Sequence, residues 1–316
     1  MADRSQNKRK PPALKKGDVI GIIAPASPPN NHSAIERGAR YFERLGYRVE
    51  IGPGVSRRHG YLAGTDQQRL DDLHAMFADR RIKAIICARG GYGTPRLLPS
   101  IDYNLIARNP KILVGFSDIT ALQLALWKKC RLVTFHGPML AVEFASTLDR
   151  FTEESFWRSI TSTHKREKVS LPRGTKVLRS GKASGILLGG NLSLVASILG
   201  TPFQPDFQNA LLFLEDVGEE PYRIDRMMTQ LSNASVFQQA SGVLAGKFSD
   251  CMPKDKSKPS LSITQVLSGM ASNINKPFLS DLPFGHTTPK LTIPIGITAT
   301  LDASRRLLLL NEASVF

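Results

Sequence analysis

The sequence has little cysteine: three residues among 316, at positions 87, 130 and 251. An odd number at wide spacing supports neither a disulfide framework nor a metal-binding spacing. Cys87 lies in the apolar run Ile85–Ile86–Cys87–Ala88, where a buried, reduced thiol is expected. Long apolar stretches are missing too. None approaches the roughly 18–20 residues that a bilayer-spanning helix needs, so a membrane-spanning helical protein is excluded. The basic, proline-containing N-terminus lacks the apolar segment of a secretory signal, and a cytoplasmic location is the expectation. There is no P-loop, H-E-x-x-H zinc motif, calcium loop, zinc finger or RNA-binding signature, and no internal repeat.

Acidic residues are also in deficit, 27 against 42 lysines and arginines, giving a net charge of +15. Such a charge permits nucleic-acid binding through counterion release. The basic residues are scattered, however, apart from the N-terminus and the stretch from Lys165 to Lys182. A solubility charge or attraction of an anionic small substrate accounts for them equally well, and nucleic-acid binding is not expected as the main function. What the chain does contain, 41% hydrophobic and 22% charged residues, fits a soluble globular protein. Its length suggests two domains, each able to bury a core.

From Val19 onward, short apolar runs alternate with amphipathic stretches. Strands are predicted at Val19–Ala24, Tyr47–Ile51, Ile82–Ala88, Lys111–Val114 and Leu132–Phe135, and helices at His32–Leu45, Gln67–Phe77 and Ile119–Lys129. A further helix is expected to open at Thr94–Pro95. Repeated βα units predict an α/β fold, with a doubly wound parallel sheet in an N-terminal domain over residues 16–150. Residues 1–15 are read as a basic flexible tail, and residues 151–183 as a linker or peripheral segment. A smaller, mixed, β-containing C-terminal domain is predicted over residues 184–316. Its expected elements are a helix at Leu192–Leu199, a strand at Leu211–Glu215, a helix near Tyr222–Leu231, a β segment at Lys290–Ile295 and a hairpin over Ile297–Leu310.

Three places put a reactive residue at a strand end or loop, where α/β folds bind ligands. In Gly115–Phe116–Ser117–Asp118 a strand runs into Ser117 and a helix follows. That is the setting of a nucleophile elbow, although the glycine two residues after the serine is replaced by Ile119. The same pattern suits Ser117 as an ordinary helix N-cap, the commoner use of such a serine. The run Leu211–Leu212–Phe213–Leu214 ends in Glu215 and Asp216, and a carboxylate there can orient a histidine. The loop Pro283–Phe284–Gly285–His286 offers that histidine, the side chain best suited to move a proton near neutral pH. His136, ahead of Gly137–Pro138, is its rival. The loop Gly90–Gly91–Tyr92–Gly93 is a poor dinucleotide fingerprint but can supply a backbone N–H at the same sheet edge. A hydrolase with no metal and no cofactor is the economical expectation.

These segments, with Phe135–Met139, Leu188–Leu192, Leu214–Glu219 and Pro221–Met227, resemble in series the LD-carboxypeptidases, or murein tetrapeptide carboxypeptidases, from about Lys16 to the C-terminus. The resemblance implies a serine peptidase that releases D-alanine from cytoplasmic peptidoglycan peptides. It implies Ser117 as nucleophile, Glu215 as orienting acid and His286 as base. The N–H of Asp118, with one from Gly90–Gly91, would form the oxyanion hole. It also implies a homodimer with a site between domains. Arg89 is a candidate for the substrate carboxylate, because a guanidinium binds carboxylates bidentately; its alternative use is a structural ion pair. A branch of the family confers immunity to microcin C-type antibiotics, and a non-catalytic binding protein on the same scaffold is the alternative of another class.

Overall fold

The structure, a computed structural model, describes residues 8–169, 171–172 and 174–316. The chain divides into two compact units. The first holds the described residues up to Thr163, with Leu291–Gly296 and Ser314–Phe316; the second, smaller unit holds His164–Lys290 and Ile297–Ala313.

In the first unit, β1 (Val19–Ile23), β2 (Arg48–Ile51), β3 (Ile82–Cys87), β4 (Ile112–Gly115) and β5 (Thr134–His136) pair in parallel. β12 (Ile293–Ile295) adds an antiparallel edge, and the order is β12–β5–β4–β3–β1–β2. The strand order reverses between β1 and β3, so the loops after these strands flank a topological switch point, the usual ligand crevice of such sheets. β1 and β4 are buried throughout, consistent with their unbroken apolar sequences. The helices begin on side chains that satisfy their first N–H groups. Asn31 caps α1 (His32–Arg44), a Thr65/Gln68 capping box opens α2 (Asp66–Ala78), and Asp102 caps α3 (Tyr103–Arg108). α4 (Ile119–Cys130) is buried along nearly its whole length.

Four sequence expectations change here. The supposed linker begins as α5 (Arg150–Thr161), capped by Asp149, with Phe156 and Ile160 fully buried. Trp157 stacks on Tyr47 at 5.2 Å, so the helix belongs to the first unit's aromatic core. The supposed tail is packed from Arg9 onward: its N–H donates to the Arg131 carbonyl at 2.9 Å and its carbonyl accepts from Val133 at 2.9 Å. Leu14 is buried. Residues 1–7 of that expectation lie outside the described residues. The segment Lys290–Ile295, assigned to the second domain, places Ile293 and Ile295 against His136 and Thr134 in the first sheet. The helix expected at Thr94–Pro95 is only two single 3₁₀ turns, Thr94–Arg96 and Leu98–Ser100, because Pro99 prevents a longer run.

The second unit contains an eight-stranded mixed sheet, ordered β6–β14–β13–β8–β9–β10–β11–β7. The strands are β6 (Glu167–Val169), β7 (Lys176–Arg179), β8 (Lys182–Asn191), β9 (Ala210–Val217), β10 (Gly242–Ser249), β11 (Phe278–Ser280), β13 (Thr298–Asp302) and β14 (Leu307–Leu310). β8 to β11 are parallel, and β13 and β14 form the expected hairpin. The rest of the supposed linker thus supplies both edge strands. Helices α6 (Leu192–Ser197), α7 (Pro221–Asn233), α8 (Val236–Gln239) and α9 (Ile263–Asn273) complete the unit. The α7 core stripe is Ile224, Met228 and Leu231, each fully buried.

Candidate active site

In the first unit, β4 ends at Gly115 and α4 starts at Ile119, leaving three residues to turn the chain. Ser117 takes φ +63°, the left-handed region that a side chain occupies at a cost. The serine does not cap α4: the cap position is Asp118, with no side-chain cap bond. The first helical N–H groups instead reach back to backbone carbonyls, Ile119 to Phe116 at 3.3 Å and Thr120 to Ser117 at 2.9 Å. A strained serine with no capping duty is what an elbow nucleophile looks like.

The glycine loop after β3 lies directly beside it. A Cβ placed on Gly90 would fall 2.9 Å from Ser117 Cβ, so this backbone approaches the serine as only glycine can. Among the described residues, the N–H groups of Gly90, Gly91 and Asp118 donate to no backbone carbonyl. Asp118 has a further task, unread in the sequence. Its buried carboxylate accepts the Thr94 N–H at 2.8 Å, and its carbonyl accepts the Thr94 hydroxyl at 2.5 Å, pinning the glycine loop. Burial raises its pKa despite these bonds. Ser27, also missed, accepts the Tyr92 N–H at 3.1 Å and donates its own N–H to the Gly90 carbonyl at 3.2 Å.

Arg89 is half-buried and donates to the Asn30 side chain, and to the Pro28 carbonyl at 3.4 Å. Among the described residues no carboxylate pairs with it, so the ion-pair expectation is not realised. His136 is fully buried in β5, its ring 5.8 Å from that of Phe116, a core position that no substrate reaches.

In the second unit, Glu215 sits near the end of β9 and is completely buried. Its Oε2 lies 2.8 Å from His286 Nδ1 and accepts the His286 backbone N–H at 3.3 Å. A carboxylate against Nδ1 fixes the tautomer with the proton on that nitrogen, leaving Nε2 basic. Gly285 makes this possible: it takes φ +91°, and a Cβ there would sit 2.3 Å from the same carboxylate oxygen. Ser249 Oγ donates to the His286 carbonyl at 2.5 Å, anchoring the loop from β10. Asp216 accepts from Asn191 Nδ2 at 3.0 Å and from the Ser193 N–H and hydroxyl at 2.9 and 2.8 Å. It therefore ties β9 to the start of α6 and acts in structure, while Glu215 faces the histidine. The Gly189–Gly190–Asn191 run was the available signal for this tie.

The structure thus gathers Ser117, Asp118, Gly90, Gly91 and Arg89 in the first unit, and Glu215 with His286 in the second. A strained serine beside unpaired N–H groups, and a histidine held by a buried acid, are the parts of a serine hydrolase. Comparison with known proteins narrows that class. Residues 20–137 match the LD-carboxypeptidase N-terminal domain, and residues 184–301 the LD-carboxypeptidase C-terminal domain. The chain is 43% identical over 298 residues to a probable murein peptide carboxypeptidase of Bacillus subtilis, covering 94% of this chain and 92% of that one. It is 30% identical to the microcin C7 self-immunity protein MccF of Escherichia coli, covering 95% of this chain and 94% of that one. A solved muramoyltetrapeptide carboxypeptidase from Oxalobacter formigenes superposes with a TM-score of 0.83 at 31% identity, covering 92% of this chain and 97% of that one.

The chain belongs to the LD-carboxypeptidase family. It is a serine-type carboxypeptidase, which sets aside the non-catalytic reading. Among the described residues, no helix is long and apolar enough to cross a membrane.

Proposed function

We propose that the protein hydrolyses the bond between an L-centre and a terminal D-alanine in murein tetrapeptides, in the cytoplasm and as a homodimer, as a step of peptidoglycan recycling. The observation that carries this reading is the 2.8 Å contact between the buried Glu215 and His286 Nδ1. It is supported by the 43% identity to a probable murein peptide carboxypeptidase.

The steps follow from the chemistry of the groups. His286 Nε2 takes the Ser117 hydroxyl proton as the oxygen attacks the carbonyl carbon, and the buried Glu215 stabilises the imidazolium. The developing oxyanion accepts from the Asp118 N–H and from the Gly90–Gly91 backbone, donors that need no reorganisation. The carbon–nitrogen bond then breaks, His286 returns the proton to the amine of D-alanine, and an ester on Ser117 remains. Water, deprotonated by His286, resolves that ester. Arg89 is assigned to the terminal carboxylate of the substrate.

The test is release of D-alanine from murein tetrapeptide. Ser117→Ala should lower kcat by about 10⁴–10⁶-fold. Full activity in that variant would refute the nucleophile. A second reading, an immunity peptidase acting on aminoacyl-nucleotide conjugates, is favoured by the likeness to MccF. Turnover of such a conjugate with no release of D-alanine from tetrapeptide would establish it instead. Light scattering gives the subunit number.

A further inference from the structure

The arginines near the switch point between β1 and β3 are unequally matched. Asp66 takes Arg69 at 2.5 Å and Arg96 at 2.8 Å. Arg57 lies within electrostatic reach of the buried Asp72. Arg58 and Arg89 differ from these. Arg58 Nη2 donates to the Pro29 carbonyl at 3.0 Å and to the Asn30 carbonyl at 3.5 Å. Arg89 Nη1 donates to the Asn30 side-chain oxygen, and to the Pro28 carbonyl at 3.4 Å. The loop after β1, over residues 28–30, therefore holds two guanidinium groups through neutral oxygens alone. No acid follows in the first turn of α1, and Glu36 beyond it is taken by Arg40 at 3.4 Å and His32 at 3.6 Å.

A guanidinium bonded to a carbonyl is oriented but keeps its charge. Each of these spends one terminal nitrogen on the loop. Among the described residues, its Nε and other Nη meet no protein acceptor. Such paired donors are what grips a carboxylate. Asn30 decides whether they stay available. An aspartate there would hold Arg89 equally well and cancel its charge, whereas the amide orients it and leaves the charge in place. The position suits the reaction, because Arg89 precedes Gly90, whose backbone lies against Ser117. In a carboxypeptidase substrate only a nitrogen and an α-carbon separate the attacked carbonyl carbon from the terminal carboxylate.

We propose that Arg58 joins Arg89 in gripping the substrate's terminal carboxylate, and that Asn30 is a positioning residue whose neutrality keeps this site cationic. This rests on the murein reading above. The readout is the ratio of kcat/KM for murein tetrapeptide to that for the same peptide ending in D-alaninamide. The ratio should exceed about ten in the parent protein. Arg58→Gln should lower it about tenfold, mainly through KM for the acid, the scale of one lost charge-assisted hydrogen bond. Arg58→Lys, which keeps a charge without the fork, should fall between the two. Asn30→Asp keeps an acceptor for Arg89 and adds a charge, so it should lower the ratio as Arg58→Gln does. A purely structural Asn30 would tolerate that change.

A parent ratio near one, an unchanged ratio in Arg58→Gln or Asn30→Asp, or equal loss on both substrates would overturn the site. A binding arm separates it from the function. Ser117→Ala protein is titrated with the acid and with the carboxamide by calorimetry. Tighter binding of the acid that Arg58→Gln removes supports the site; equal affinity, or no saturable binding, overturns it. Acid-selective binding with no D-alanine released from tetrapeptide by the parent protein would end the carboxypeptidase reading of this substrate and leave the carboxylate site standing.

Discussion

Glu215 holds His286 at two points, the ring nitrogen at 2.8 Å and the backbone N–H at 3.3 Å, through a single carboxylate oxygen. One oxygen thereby fixes both the tautomer and the place of the loop. Glu215→Gln keeps the size of the side chain and removes the charge that, in the proposed mechanism, stabilises the imidazolium. We expect kcat to fall about 10³–10⁴-fold with KM little changed. A loss smaller than tenfold in steady-state kinetics would remove Glu215 from the machinery.

Gly285 guards that contact. An alanine there meets two obstacles, the positive φ of +91° and a Cβ 2.3 Å from Glu215 Oε2. The backbone strain costs about 1–3 kcal/mol, and the loop must move away from the acid to relieve the clash. Gly285→Ala should therefore lose stability and kcat together. Thermal unfolding and kinetics on the same preparation check this; an active, equally stable variant would contradict it.

Ser117 offers a test within the first unit. At φ +63° any L-residue is strained, and glycine is not. Ser117→Ala and Ser117→Gly should both be inactive, yet the glycine variant should be more stable than the alanine variant by about 1 kcal/mol. Urea unfolding of the two decides. Equal midpoints would mean that the turn stores no strain at this residue.

Much of this was legible in the sequence because it is local. The βα alternation shows in apolar runs and glycine stops, and Ser117 stands where a strand meets a helix. Whether that serine caps or reacts depends on its φ angle, which the pattern Gly–Phe–Ser–Asp does not determine. The Glu215–His286 pair spans 71 positions; a carboxylate at a strand end and a histidine in a glycine loop made them candidates for each other, and the family resemblance assigned them as acid and base. The misread parts depend on partners distant in sequence. α5 gains its amphipathic sense only when Trp157 finds Tyr47 and Tyr41. The segment Ile293–Ile295 was assigned by chain order, yet its ladder partner is β5. Arg9, read as part of a solvated charge run, spends its backbone on Arg131 and Val133 and its guanidinium on the Cys130 carbonyl at 2.7 Å.

Lys111 offers a pH test away from the site. Its buried ammonium donates to the Met76 carbonyl at 2.8 Å and to the Asp79 carbonyl. Burial brings its pKa down to about 8, opposed by the charge of Asp79. A folded pKa below the unfolded value means that the unfolded chain binds more protons between the two, so stability rises with pH across that window. The gain begins near pH 8 and ends near the ordinary lysine value of about 10.4, worth up to about 3 kcal/mol. Lys111→Met abolishes this term. Because Tyr41 and Tyr103, whose pKa values burial raises, oppose it at high pH, the quantity to follow is the difference between parent and variant. Urea unfolding at intervals from pH 7 to 10 should show the parent gaining on the variant as pH rises. Parallel curves would mean that the ammonium carries no burial cost.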